Sequence, residues 1–178
     1  MGLATESADA PKIVYGFIDR AAGGFEIRED WDTIGMRATQ SSTTVLTGAA
    51  APADRIVRRL DPGPNPDPLV FAIFANFELL LASVYTGIGA RALEPAVAAA
   101  HRRKSLKNDG RSYANDPDIR WRIAEAAIDQ DALLPQLDAI TRDVDTLADH
   151  GAQWFPKLVG MKIRATETAR RVVDQAIR

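Results

Sequence analysis

The sequence predicts an α+β fold in which a small antiparallel β segment precedes an up-down bundle of three long helices. Short β-branched and aromatic runs, separated by turn residues, occupy the first sixty positions. A proline-rich segment at 61–67 then disfavours both helix and strand. After it, apolar residues recur at three- and four-residue spacing over long segments, which indicates helices with one buried face each.

The amino-acid composition excludes several classes of protein and of functional site. The chain has 178 residues, of which 46% are hydrophobic, and a formal net charge of −2. It is therefore too apolar for a disordered chain and not basic enough to predict nucleic-acid binding. The absence of cysteine excludes disulfides and thiolate chemistry in this chain and fits a cytoplasmic location. Two histidines are too few for a His-rich metal site, so no metal is expected.

The first sixty residues predict a partial β-domain, 1–60. The predicted strands are 12–18, 25–28, 42–46 and 55–57. The first two flank a glycine turn at 21–24, which favours a hairpin between them. A sheet this small needs a covered face and cannot supply a good core by itself.

Residues 61–67 predict a stiff linker, since four prolines occur in the eight residues from Asp61 to Pro68. Pro68 suits the first turn of a helix, and Asp67 suits its N-cap. The helix predicted from Pro68 to Lys104 is apolar nearly all round in its first half, which predicts burial on nearly all sides. Pro95 should kink it.

A membrane span is the alternative for this helix, because residues 69–90 are long enough to cross a bilayer. Asn76 and Glu78 lie near the middle of that segment, however. A central carboxylate costs about 2.5–3.5 kcal/mol on insertion. We therefore expect a bundle helix and no membrane span.

Two more helices complete the predicted bundle, 68–178. The second begins at the N-cap Asp116, bends at Pro135 and ends near His150, and the third occupies about 154–178. Three helices that each bury one face are expected to pack with a fourth helix. The prediction is therefore an incomplete four-helix bundle.

Three ordered segments resemble the acyl-CoA dehydrogenase family, and they are 31–46, 85–93 and 162–169. The first is similar to the end of the family's middle β-domain. The others are similar to the first and third helices of its C-terminal four-helix domain. The resemblance implies part of a β-barrel, FAD bound between subunits of a homo-oligomer (a dimer or tetramer), and an acyl-CoA-type substrate. It also implies a truncated member.

The resemblance also implies a cofactor site where the first helix ends. A family arginine and hydroxyl residue that reach the FAD of the neighbouring subunit match Arg103 and Ser105. Guanidinium groups suit pyrophosphate oxygens. The alternative for this cluster is a solvated basic face that opposes the negative end of the helix dipole. Nucleic-acid binding is not expected, because acidic residues follow closely and no aromatic platform accompanies the cluster.

Glu78 is a carboxylate within an apolar helix, which suggests a catalytic base. The resemblance places the base of one family branch at Phe77 instead. One residue turns a side chain by about 100° around a helix. We therefore expect Glu78 to be a capped or paired carboxylate that faces the β-domain or a subunit interface, and we predict no catalytic residue in this chain.

The predicted function is an acyl-CoA dehydrogenase-like flavoprotein, which oxidises an acyl-CoA thioester at the α,β carbons and is inactive as this chain alone. Two alternatives stay open. One is a flavin-dependent monooxygenase of the same fold. The other is a non-catalytic helical oligomerisation module, since an unfinished bundle exposes apolar faces that mark interfaces.

Overall fold

A computed structural model of the chain describes residues 2–4, 10–107 and 109–177. The chain divides into two compact units, Met1–Pro66 and Asp67–Arg178. The first unit carries short strands and the second carries helices, so the predicted α+β class is confirmed.

The β unit contains two small antiparallel sheets. The first has the order β1-β2-β5, and the second pairs β3 with β4. The strands are β1 (Gly2–Ala4), β2 (Lys12–Gly16), β3 (Phe25–Ile27), β4 (Thr44–Leu46) and β5 (Ile56–Leu60). None of the described residues 10–66 is fully buried, as expected for a β segment without a core of its own.

The predicted hairpin between the first two strands is wrong. β2 pairs with β1 and β5, whereas β3 pairs with β4. The Gly24 carbonyl accepts a hydrogen bond from the Thr47 N–H at 2.7 Å, so the glycine turn extends the β3–β4 ladder. At the other end of that ladder, the Arg28 N–H donates to the Thr43 carbonyl at 2.9 Å.

The helical unit contains α1 (Pro68–Arg102), α2 (Pro117–Asp131), α3 (Leu133–Asp145) and α4 (Trp154–Ile177). Both predicted N-caps form. Asp67 Oδ1 accepts from the Leu69 N–H at 2.8 Å, and Asp116 Oδ1 accepts from the Asp118 N–H at 2.9 Å. These bonds satisfy backbone donors that a helix start leaves unpaired.

The predicted bend at Pro135 is a break between two helices. A proline ring clashes with the carbonyl four residues earlier, which here belongs to Asp131, and α2 ends at that residue. α3 then begins at Leu133. Pro95, by contrast, lies inside the continuous helix α1.

The core lies between α1, α3 and α4. Its buried residues are Ala75, Leu79, Ala82, Leu133, Leu137, Ile140, Leu158, Met161 and Ala165. Alanines on both α1 and α4 let the two backbones approach closely, which increases the apolar contact between them. A buried polar contact joins α2 to α1, where Gln130 Nε2 donates to the Thr86 carbonyl at 2.8 Å.

Helix α1 is less buried than its sequence predicts. An apolar stripe on it is exposed, formed by Ile73, Phe77, Leu80, Val84 and Ile88. The core side of the helix is covered by α3 and α4, and the stripe lies outside that contact. By length and composition α1 is the one described helix that could span a membrane, and in this fold it is a bundle helix.

Candidate cofactor site

A tight loop follows α1, and we call residues 102–113 the basic turn. The Arg103 N–H donates to the Ala99 carbonyl at 2.8 Å and closes the helix. The chain then reverses, with the Ser105 N–H bonded to the Arg111 carbonyl at 2.9 Å and the Tyr113 N–H bonded to the Arg103 carbonyl at 3.1 Å. Backbone hydrogen bonds therefore fix the shape of this turn.

Ser112 anchors the basic turn to the end of α1. Its hydroxyl lies 2.8 Å from the Ala100 carbonyl and 3.0 Å from the His101 carbonyl, to either of which it can donate. The same oxygen accepts from the Ala114 N–H at 3.2 Å. The last carbonyls of a helix lack intrahelical partners, so Ser112 satisfies groups that would otherwise need water.

The basic turn exposes five cationic side chains, Arg102, Arg103, Lys104, Lys107 and Arg111. Within the described residues, none of them takes part in an ion pair. The turn contains one carboxylate, Asp109, which is also exposed. Cations at a helix C-terminus oppose the negative end of the dipole, but this effect does not extend beyond the last turn. The surplus positive charge makes the turn an available anion-binding surface.

The two predicted cofactor contacts lie in this turn with different exposure. Arg103 is exposed, whereas Ser105 is 9% exposed. An arginine here can reach a phosphate in solution, and the buried serine is the less accessible donor. Both assignments stay predictions.

Lys107 and Arg111 enlarge the cation cluster beyond the contiguous residues Arg102–Lys104. Arg111 is brought back to the helix end by the antiparallel bridge between Lys104 and Ser112. In the sequence, basic residues stand at both ends of the segment Lys107–Arg111. Nothing in that segment indicates that it folds back on the end of α1. An apolar groove of about 400 Å³ adjoins the turn, with His101 and Arg120 among its lining residues.

Glu78 is buried, and Lys162 Nζ on α4 lies 3.5 Å from its Oε2. The expected pairing is confirmed, and the partner belongs to the same helical unit. The neighbouring Phe77 is exposed, and the Lys162 ammonium lies 5.2 Å from the centre of its ring. Glu78 therefore holds a cation of α4 rather than facing an open site.

The helical unit matches a family model. Residues 70–178 match the model described as acyl-CoA dehydrogenase, C-terminal domain. This match covers more than half of the chain, so the chain belongs to the acyl-CoA dehydrogenase family. The resemblance drawn from the sequence is confirmed.

Three known proteins that this chain matches differ in function. Amino sugar nitrososynthase DnmZ of Streptomyces peucetius is 24% identical over 174 residues, which cover 97% of this chain and 42% of DnmZ. Butyryl-CoA dehydrogenase of Megasphaera elsdenii superposes with a TM-score of 0.77 at 17% identity, over 93% of this chain and 41% of that one. Dibenzothiophene monooxygenase TdsC of Paenibacillus sp. A11-2, solved with FMN and indole, gives 0.73 at 21% identity, over 93% and 45%.

The chain thus spans less than half the length of each of these proteins. At these identities the structural matches establish the fold alone. Matched structures that contain a flavin, FMN, include those of TdsC and of KijD3. Proteins of this fold therefore include both a dehydrogenase and a monooxygenase solved with FMN.

Proposed function

We propose that the protein containing this chain is a flavin-dependent oxidoreductase and that the basic turn binds the phosphates of the flavin. One observation carries the proposal: five exposed cations, none of them in an ion pair with another described residue, lie on a turn held by backbone hydrogen bonds. Guanidinium and ammonium groups form strong charge-assisted hydrogen bonds to phosphate oxygens. Family membership and the FMN-containing structure of the same fold support the choice of flavin over other anions.

FAD is the flavin we favour, following the resemblance on Arg103 and Ser105. Its pyrophosphate offers more anionic oxygens to a cluster of cations than a single phosphate does. In this proposal Arg103 contacts the phosphates directly, while Ser105 needs a small local movement to expose its hydroxyl. The proposal includes a homo-oligomer in the cytoplasm, in which the turn of one subunit serves the flavin of its neighbour.

For the reaction, our leading candidate is oxidation of an acyl-CoA thioester at the α,β carbons. A bound flavin supplies hydride acceptance from the β-carbon, while a carboxylate takes the α-proton. Glu78 is not our candidate for that carboxylate, because it is buried inside the helical unit with the Lys162 ammonium 3.5 Å from its Oε2. We expect no turnover from this chain alone.

A second candidate is a flavin-dependent monooxygenase. The observation that favours it is the structural match to TdsC, a dibenzothiophene monooxygenase. A third candidate is a non-catalytic oligomerisation module, which the exposed apolar stripe of α1 favours.

The dehydrogenase and monooxygenase candidates both require flavin binding. Titration with FAD and with FMN, followed by flavin absorbance or fluorescence quenching, tests that requirement. We expect Arg103→Ala to weaken FAD binding by about 10-fold or more, because a hydrogen bond to a charged group contributes about 1.5–3 kcal/mol. Arg142→Ala, an exposed arginine in the last turn of α3, is the matched control and should bind like the unmodified protein. A colourless protein that binds neither flavin contradicts the flavin proposals and favours the module.

The reaction class needs a second assay on the protein containing the chain. Reduction of an electron-accepting dye that depends on acyl-CoA supports the dehydrogenase. Oxygen consumption that depends on reduced flavin, with no response to acyl-CoA, supports the monooxygenase.

A further inference from the structure

A groove of about 400 Å³ lies between the end of α1 and α2, and we call it the α1–α2 groove. Most of its lining is apolar and consists of four alanines, a valine and two isoleucines. The alanines are Ala100, Ala114, Ala124 and Ala127. Because their side chains end at Cβ, they leave open a space that larger residues would fill. The groove is therefore a concave apolar surface of the kind that binds small ligands.

The two polar residues of the lining, His101 and Arg120, lie at the same end of the groove. α1 and α2 are antiparallel, since Gln130 near the end of α2 donates to the Thr86 carbonyl. Just before α2, the Ser112 hydroxyl lies 3.0 Å from the His101 carbonyl. The last turn of α1 therefore lies beside the first turn of α2, next to the basic turn. The groove has one polar end, and the rest of its lining is apolar.

Among the described residues, no carboxylate pairs with Arg120 or His101. Asp116 caps α2, and Glu94 contacts an arginine of its own helix. Asp131 follows Arg120 by eleven residues, roughly 16 Å along α2. At about 100° per residue, the remaining acidic residues of α2 fall on its far side, and they are Asp118, Glu125 and Asp129. With the surplus cations of the basic turn, the polar end of the groove has a positive potential.

We propose that the α1–α2 groove binds a single-chain anionic amphiphile, with its alkyl chain against the alanines and its head group at Arg120 and His101. A guanidinium group forms charge-assisted hydrogen bonds to the oxygens of a carboxylate, sulfate or phosphate. From Ile119 to Ala127, α2 rises about 12 Å. With C–C bonds of about 1.5 Å, that length holds an extended chain of roughly ten carbons. Neither flavin nor Arg103 takes part in this binding, so it is independent of the proposed function.

Helix α1 also exposes an apolar stripe around Phe77, but the cation that contacts this stripe is already paired. Lys162 Nζ lies 5.2 Å from the centre of the Phe77 ring and 3.5 Å from Glu78 Oε2. The groove instead offers Arg120 without an ion pair among the described residues. Phe77 and Val97, which lines the groove, are roughly 30 Å apart along α1. Substitutions can therefore distinguish binding in the groove from binding on the stripe.

Isothermal titration calorimetry of the whole chain with dodecanoate, below the concentration at which it forms micelles, tests the proposal. We expect saturable binding at a single site. Octanoate should bind at least about 10-fold more weakly, because each buried methylene contributes about fourfold to the binding constant and octanoate has four fewer. Dodecyltrimethylammonium has the same tail with the opposite charge. It should also bind at least about 10-fold more weakly, because its head group cannot accept hydrogen bonds from Arg120.

Variants of the chain locate the binding. Arg120→Glu should weaken dodecanoate binding by about 10-fold or more, because it replaces an attractive charge by a repulsive one. Arg122→Glu is the matched control, since it makes the same charge change at an exposed position about 200° around α2, and it should bind like the unmodified chain. Ala127→Phe, at an exposed position, fills the groove and should also weaken binding by about 10-fold. Phe77→Ser, on the stripe of α1, should have no effect.

Far-UV circular dichroism checks that every variant is folded. A chain that does not bind dodecanoate saturably overturns the proposal and would assign the groove to another partner, such as an acidic protein segment. Equal binding of the cationic amphiphile, or equal effects of Arg120→Glu and Arg122→Glu, also overturns it. So does a loss of binding with Phe77→Ser but not with Ala127→Phe, which would place the amphiphile on α1. Flavin titration of Arg103→Ala is a separate measurement, so a failure of the flavin proposal leaves these outcomes unchanged.

Discussion

The two units of the chain differ in what holds them together. The helical unit contains large side chains that are fully buried, among them Leu133, Leu158 and Met161. In the β unit none of the described residues 10–66 is buried to that degree. Burying apolar surface contributes roughly 25 cal/mol per Å². The helical unit therefore has a source of stability that the β unit lacks.

The β unit relies on ladders of three to five residues and on polar contacts at its surface. Small sheets of this kind need a packed face to be stable. Several of its large apolar side chains are exposed, including Phe17 and Leu46. In the helical unit the stripe on α1 is exposed in the same way. Hydrophobic sequence thus does not determine burial in either unit, because burial depends on which element packs against the segment.

The largest predicted effect is the loss of stability when a leucine is replaced by alanine, which we expect to differ between the two units. Leu158→Ala removes a fully buried side chain of α4 and should lower the free energy of unfolding by about 2–5 kcal/mol. Leu60→Ala, at a half-buried position of β5, should cost about 1 kcal/mol or less, since less apolar contact is lost. Denaturant unfolding followed by far-UV circular dichroism measures both. Equal costs would show that the β unit has a core comparable to that of the helices.

A smaller effect distinguishes two glycines of α1. A Cβ on Gly89 would lie 2.1 Å from Gln130 Oε1 and 3.1 Å from its Cδ. Gln130 is buried and donates to the Thr86 carbonyl, so Gly89→Ala should displace it. The lost hydrogen bond costs about 1 kcal/mol, and the higher helix propensity of alanine offsets part of that cost, so Gly89→Ala should be about 1 kcal/mol less stable than Gly87→Ala.

Gly87 is the control, because a Cβ there meets no atom of the described residues within 4 Å. Gly87→Ala should stabilise the protein by about 0.5–1 kcal/mol through higher helix propensity. The two variants are compared by thermal and denaturant unfolding. If both shift stability in the same direction by the same amount, the contact between Gly89 and Gln130 does not hold α1 against α2.

The helical unit was the more predictable of the two. Its three- and four-residue periodicity and its N-caps are local features, so Asp67 and Asp116 marked two helix starts correctly. The pairing of β2 with β5 joins residues far apart in the chain. Strands of three to five residues carry little information about their partners, and a nearby turn therefore suggested the wrong hairpin.

The candidate site was predictable only in part. The run from Arg102 to Lys104 is contiguous and therefore visible in the sequence. Arg111 is brought next to this run by backbone hydrogen bonds of the basic turn. No residue pattern in the sequence predicts those hydrogen bonds. Likewise, the burial of Glu78 follows from its apolar surroundings, but its partner Lys162 comes from the last helix. Contacts between distant elements depend on how the helices pack, and the sequence alone does not specify that.

The smallest predicted effect lies in the β unit, at Asp30. The Thr43 hydroxyl, together with the Thr43 backbone N–H at 2.8 Å from Oδ1, lowers the pKa of Asp30 below its ordinary value of 3.8. A carboxylate whose pKa is lower in the folded state stabilises that state at pH values above the unfolded pKa. This contribution is lost as the pH falls through the folded pKa. Because Asp30 is exposed, solvent weakens the interaction.

An NMR titration of the Asp30 carboxyl carbon should therefore give a midpoint below 3.8. Thr43→Val removes the hydroxyl and keeps the backbone donor, so it should move the midpoint part of the way back. Glu78→Gln, in the helical unit, is the control and should leave the Asp30 midpoint unchanged. A midpoint that Thr43→Val does not move would show that the backbone bond alone holds the loop between β3 and β4, and that side chains contribute even less to the β unit than its exposure implies.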